Sequence, residues 1–188
     1  MKAVLCKAYG MPETLVIEEV EPLRAGRGQV VVEVKACGVN FPDTLIIQGK
    51  YQFKPAMPFS PGSEVAGVVK EVGEGVKGVS VGDHVIASTG WGGFAEEVVV
   101  NATKIIPMPA GLDFTIASAF VLTYGTSHHA LKDRAQLQPG EDYFTHISID
   151  TWVGCGSRSL CGLGAWRLAG AINIGTTKVR DILGLLAG

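Results

Sequence analysis

From Gly62 to Gly82 the chain sets short runs of valine between six glycines, in the order GSEVAGVVKEVGEGVKGVSVG, and leads straight into Asp83-His84-Val85-Ile86. Valine is stiff at χ1 and favours a pleated, half-buried strand, whereas glycine permits sharp bends and close backbone approach. The pattern predicts a strand, a Gly-rich turn at EVGEGVKG and a second strand at SVGDHVIAS. Sheets are curved by glycines and bulges, so this unit is expected at the centre of a small β-barrel.

The flanking pattern extends that picture. Lys2–Lys7 and Thr14–Glu21 read as edge strands joined by the turn YGMPE, and 22–28 as a loop. Gln29–Ala36, QVVVEVKA, is a strong strand whose valines suit burial. Beyond Cys37-Gly38-Val39-Asn40 a short helix is predicted over Thr44–Gln48, with Pro42 near its start, Asp43 in its first turn and Gly49 as its stop. Residues 51–61 hold three prolines and predict a loop with exposed aromatics. AEEVVVNATKII reads as one further strand, and Asp113 as the cap of a helical run FTIASAFV followed by a second helix over Leu122–Leu131. The result is a mainly β domain with short helices over residues 1–140.

From Asp142 the pattern dissolves. The last 47 residues carry eight glycines and three acids, and after a possible strand at 144–153 they show neither a 3.6 nor a 2.0 period. Lys178–Leu186 has room for two turns of helix with little to pack against. Residues 141–188 are therefore expected to be an incomplete or disordered remnant rather than a finished domain.

Composition narrows the class. Hydrophobic residues make up 47% and charged ones 18%, enough to bury a core. The net charge of −2 comes from interspersed acids and bases, so no basic patch points to nucleic acid and no polybasic stretch to a membrane surface. No apolar run is long enough to span a bilayer, and the start MKAVLCKAYG does not read as a secretory leader. The four cysteines, in no ligand spacing, are expected to be reduced thiols of a cytoplasmic protein.

The motifs ACGVNFPD (36–43), IQGKYQFKPAMPFSPGSEVAGVV (47–69), VGEGVKGVSVGDHV (72–85), GGFAEEVVV (92–100) and LTYGTSHHAL (122–131) run in order through the first domain. With them the chain resembles the medium-chain dehydrogenase/reductase superfamily, and within it the zinc-free NADPH:quinone oxidoreductase (zeta-crystallin-like) branch. The resemblance implies a GroES-like barrel followed by an α/β Rossmann domain that binds NADPH. It also implies hydride transfer to a quinone or similar electron-poor carbonyl or enone acceptor, and a homodimer. The cofactor carries the hard chemistry in such an enzyme, so few acid–base groups are needed.

The same resemblance supplies site residues, each with a plainer alternative. Asn40 would hydrogen-bond the acceptor oxygen or the nicotinamide ribose, or else cap a turn. Asp43 would orient that loop, or merely favour its helix N-terminus. Tyr51 would stack on the substrate, or be an exposed loop aromatic. Thr126 would contact the nicotinamide carboxamide, or cap its helix. Where zinc alcohol dehydrogenases carry cysteine and histidine, this chain has Asn40 and Ser63, an amide and a hydroxyl that are poor zinc ligands. No cysteine lies between Cys37 and Cys155 to form a structural zinc loop, so no metal is expected. Glu64 then reads as a buried or capping carboxylate. His84 reads as structural, Cys37 as a small buried hydrophobe, and His128 and His129 diverge too far on a helix to share a metal.

One departure stands out. Relatives would follow Gln138-Pro139-Gly140-Glu141 with a Val/Leu-rich strand and a Gly-rich turn that cradles pyrophosphate. Here the nearest candidate is Gly154-Cys155-Gly156-Ser157-Arg158-Ser159, without the third glycine. A Rossmann half takes roughly 130–150 residues, and 48 follow Gly140. The expectation is a reading frame lost near Glu141 and a chain inactive by itself. Competing readings are a non-catalytic GroES-like binding module and a zinc-dependent alcohol dehydrogenase.

Overall fold

The computed structural model describes residues 1–138. The strand at 144–153, the turn at 154–159 and the other expectations for 139–188 lie outside the described residues. The chain divides into two compact units, Met1–Leu122 and one that begins at Thr123.

The first unit opens with β1 (Lys2–Leu5) and β2 (Val16–Glu19), paired antiparallel with Lys2 opposite Glu19. Five further strands follow: β3 (Gln29–Gly38), β4 (Glu64–Val72), β5 (His84–Ser88), β6 (Glu97–Asn101) and β7 (Ile105–Pro107). They form one antiparallel sheet in the order β6-β3-β4-β5-β7. This order forces curvature. β6 and β7 lie at opposite edges, four strand spacings apart, which in a flat sheet is about 19 Å. Only residues 102–104 connect them, and four peptide steps reach at most about 14 Å. The sheet must therefore roll up, as the glycine pattern predicts. Bulges in β3, between Val31 and Val32 and between Val34 and Ala36, supply part of the bend.

Valines fill the rolled sheet. Val30, Val32, Val65, Val69, Val85, Val98 and Val100 form its buried core with Ala87. Gly67, in mid-β4, has no room for a side chain: a Cβ there would lie 2.1 Å from the Glu33 carbonyl oxygen on β3. A second cluster, Cys6, Ile46, Ile47 and Phe59, gathers the N-terminal ribbon and the Pro-rich loop around helix α1 (Phe41–Ile46). Cys6 and Phe59 form an isolated antiparallel bridge, with N–H to O distances of 2.8 and 3.2 Å. A third cluster packs helix α2 (Phe114–Ala117) on the sheet through Ala66, Ile86 and Ala117.

Three sequence expectations need correction. AEEVVVNATKII is not one strand. The Asn101 side chain accepts a hydrogen bond from the Thr103 N–H at 3.0 Å and starts a 3-10 turn over Ala102–Lys104, which separates β6 from β7. Helix α1 takes in the Phe41-Pro42-Asp43 opening, capped by Asn40, and ends at Ile46 rather than Gln48. Among the aromatics of the 51–61 loop, Phe53 is exposed but Phe59 is buried against Cys6. Helix α3 (Val121–His128) runs into a π-helical turn over His129–Arg134, within which His129 Nδ1 meets the Asp133 carboxylate at 2.8 Å. No helix of the described residues is long and apolar enough to cross a membrane.

Candidate functional site

The site is assembled where β3 ends and β4 begins. At Gly38 a Cβ would sit 2.4 Å from the Ser118 carbonyl oxygen, so only glycine lets the chain pass this close to α2. Two residues on, Asn40 is extended (φ −120°, ψ 156°) and caps α1. The third helical residue is Asp43, and its Oδ2 accepts the Asn40 backbone N–H at 2.8 Å. This is one half of a capping box. The other oxygen, Oδ1, accepts the Gly62 N–H at 3.2 Å. A single buried carboxylate thus ties the helix start to the turn that enters β4. Gly62 holds φ +94°, and a Cβ there would meet the Phe94 ring at 2.6 Å.

That turn aims Ser63 and Glu64. Glu64 is 1% exposed, and its Oε1 accepts the N–H groups of Val121 at 2.5 Å and Leu122 at 3.0 Å. These are first-turn donors of α3, which have no partner within their own helix. The capping reading of Glu64 therefore holds, and the cap comes from a strand 57 residues away. Around this frame three buried polar atoms have no hydrogen-bond partner: Asn40 Nδ2, Ser63 Oγ and Glu64 Oε2. Electrostatics still couple Asn40 to Glu64 and Ser63 to Asp43, so the three atoms belong to one weakly bonded polar cluster rather than to isolated orphans.

Charge at this place is held in check. Burial pushes the carboxyls of both Asp43 and Glu64 above their ordinary range, and the backbone N–H donors on each pull part of the way back. Burial also pushes the neighbouring Cys37 thiol up to about 12, with the charges of Asp43 and Glu64 adding to the effect. A thiolate is the reactive form. We expect Cys37 to stay unlabelled when the folded chain is treated with iodoacetamide near pH 8 and digested for mass spectrometry. Labelling of Cys37 as fast as a free thiol would show that the thiol is not desolvated as described.

Beside the polar frame lies a cleft of about 180 Å³. Pro42, Ile46, Tyr51, Phe53 and Leu122 give it apolar walls, and Asp43, Ser63 and Ser88 its polar side. The structure thus brings Asp43 and Tyr51 to one cleft, with Asn40 joined to it through its hydrogen bond to Asp43. Thr126 stands exposed on α3, in the second unit. Tyr51 is half-buried against the Cys6–Phe59 cluster rather than a loose loop aromatic. Sequence reasoning did not single out Phe53 or Ser88, and it weighed Ser63 only as a poor metal ligand. The signal for Phe53 lay in the Tyr-x-Phe spacing of the loop. Ser88 carried none, because β5 reaches the cleft only through its pairing with β4.

The residues present do not suit a transition metal. Both oxygens of Asp43 and one of Glu64 are already occupied by backbone donors. The remaining groups are an amide, a hydroxyl and one carboxylate oxygen, and a tetrahedral zinc site wants thiolate and imidazole. Among the described residues no three His, Cys, Asp or Glu side chains converge on a common point.

Residues 26–110 match the family described as alcohol dehydrogenase GroES-like domain. Among curated relatives, the quinone oxidoreductase-like protein 2 homolog of Nematostella vectensis is 45% identical over 142 residues, which cover 74% of this chain and 38% of that protein. Among solved structures, a probable oxidoreductase from Mycobacterium abscessus superposes with a TM-score of 0.71 at 45% identity, covering 75% of this chain and 45% of that one. The Escherichia coli quinone oxidoreductase complexed with NADPH gives a TM-score of 0.71 at 32% identity, over 75% of this chain and 43% of its own. The chain thus spans about two fifths of the length of the curated relatives it matches. Its mainly β fold, its GroES-like domain and its quinone oxidoreductase relatives together establish that the chain belongs to the medium-chain dehydrogenase/reductase superfamily.

Proposed function

We propose that the first unit is the acceptor side of a zinc-free oxidoreductase in which NADPH reduces a quinone or a similar electron-poor carbonyl or enone. The observation that carries this reading is the weakly bonded polar cluster of Asn40, Ser63 and Glu64 beside an apolar, aromatic-walled cleft. NADPH, when bound, supplies the hydride. The protein's part is to hold a flat acceptor, exclude water and satisfy its oxygen. Tyr51 offers a ring to stack on. Asn40 Nδ2 is a neutral donor that the neighbouring Glu64 carboxyl holds only weakly, suited to an acceptor oxygen or to the nicotinamide ribose. Asp43 acts at one remove, by fixing Asn40 and the Gly62 turn. Thr126 is proposed to contact the nicotinamide carboxamide when a cofactor domain is joined to this one. Free thiols at Cys6 and Cys37 suit a cytoplasmic setting.

The domain division, 1–140 on the acceptor side and 141–188 in place of the start of a cofactor domain, belongs to the same proposal. Every strand pairing among the described residues is antiparallel, so they hold no βαβ unit to cradle a dinucleotide. A cleft of about 180 Å³ is also smaller than most sites that enclose a whole ligand. The 188-residue chain is therefore expected to bind NADPH negligibly and to reduce quinones at background rate. Joined to the cofactor domain of a relative, it is expected to oxidise NADPH in the presence of a quinone, insensitive to zinc chelators. Asn40→Ala there should lower kcat/KM about tenfold or more, the loss expected for one charge-developing hydrogen bond. Saturable micromolar NADPH binding by the present chain, followed by fluorescence, would overturn the inactivity. Activity removed by chelators would overturn the zinc-free reading.

A further inference from the structure

The Pro-rich loop carries two rings in close succession, Tyr51 and Phe53. Their centroids stand 5.7 Å apart with planes inclined at 64°, an edge-to-face pair. They differ in support. Tyr51 packs on the Cys6–Phe59 cluster, whereas Phe53 is 53% exposed. Both line the cleft that Asp43 and Ser63 bound on its polar side. The pair is therefore a fixed ring holding a second ring out over an apolar hollow.

Volume sets what enters. A dry apolar cavity of about 150 Å³ accommodates benzene, so the 180 Å³ here suits one six-membered ring. Aromatic faces prefer offset or edge-on contact with other planar π-systems, and a saturated ring gains only its area. We propose that Phe53 is a specificity-determining residue: with Tyr51 it receives one planar, conjugated ring of the acceptor and leaves the ring's carbonyl towards Ser63. The inference rests on reading the cleft as the acceptor side, and it adds the class of acceptor, a single-ring quinone or aryl ketone in preference to an acyclic or saturated one.

Acetophenone and acetylcyclohexane make a matched test. They share the methyl ketone and the carbon count and differ in the planarity of the ring, and neither is attacked by thiols. Titration of the full 188-residue chain with each, followed by NMR without any cofactor, keeps the result separate from the redox reading. Acetophenone is expected to shift the Tyr51 and Phe53 resonances and to bind about fivefold more tightly than acetylcyclohexane, a ratio typical of one aromatic contact. Phe53→Leu should abolish that ratio, and Phe53→Tyr should keep it. The proposal fails if wild type binds both ketones equally, if Phe53→Leu leaves the ratio intact, or if acetophenone shifts neither ring at about 20 mM, the weakest binding worth assigning to so small a ligand. A positive result combined with no NADPH-dependent turnover in the joined protein would sink the redox reading and leave Phe53 as the selector of a planar ring in a binding cleft.

Discussion

Gly67→Ala is expected to destabilise the first unit by about 4 kcal/mol, at the far end of what single substitutions do. The new methyl would lie 2.1 Å from the Glu33 carbonyl oxygen and 2.8 Å from a Val32 methyl. Both neighbours belong to β3, the strand that pairs with β4 through eight residue pairs and with β6 on its other side. Neither can retreat without opening the valine core. Gly28→Ala is the natural control, since Gly28 has φ +73° and an added methyl there would meet nothing within 4 Å. Only the left-handed backbone then opposes the change, at about 1–2 kcal/mol. Urea unfolding of both variants checks the contrast. Equal losses would mean that β3 and β4 are not in the contact described.

Glu64→Ala is expected to cost about 3 kcal/mol, because it strands the N–H groups of Val121 and Leu122 at about 1–3 kcal/mol per unsatisfied buried donor. Glu64→Gln should lose less, since an amide oxygen still accepts both. The second variant has its own readout in pH. Burial raises the Glu64 carboxyl, so the folded state holds its proton more tightly than the unfolded state does. Stability from this group is therefore fully present below the unfolded value, about 4.3, and is lost as pH rises through the raised folded value. Asp43 acts in the same direction. Wild type is expected to weaken from mildly acidic to neutral pH, and Glu64→Gln to flatten that slope. Glu97, lowered chiefly by its hydrogen bond to Lys70, works oppositely and weakens the fold as pH falls through its folded value. An unchanged slope in Glu64→Gln would mean that the carboxylate is well solvated.

What could be read from the chain beforehand was whatever depends on near neighbours. The valines of β3 and β4 announce strands because side-chain stiffness is local, and Asp113 announces α2 because a cap acts over two residues. The break after Asn101 was equally local yet hidden, since a polar side chain turning back on Thr103 competes with the strand without altering the hydrophobic pattern. Long-range partners were illegible. Nothing in Phe59 says that Cys6 will pair with it, and nothing in Asp43 says that its second oxygen will find Gly62. The residue types at the site, Asn40, Asp43, Ser63 and Glu64, were visible. Which of their atoms would be left without partners was decided by the fold.

The wall of the cleft is braced from outside the segment that matches the family. Cys6 and Leu15 support Tyr51 and α1 through the second cluster, Gly10 donates to the Ile47 carbonyl at 2.9 Å, and the Tyr9 ring lies against Gly49. The recognised segment begins only at residue 26. A polypeptide trimmed to that boundary would keep all the residues facing the hollow and lose the buttress behind them. The shape of this cleft is thus partly set by a ribbon that does not line it.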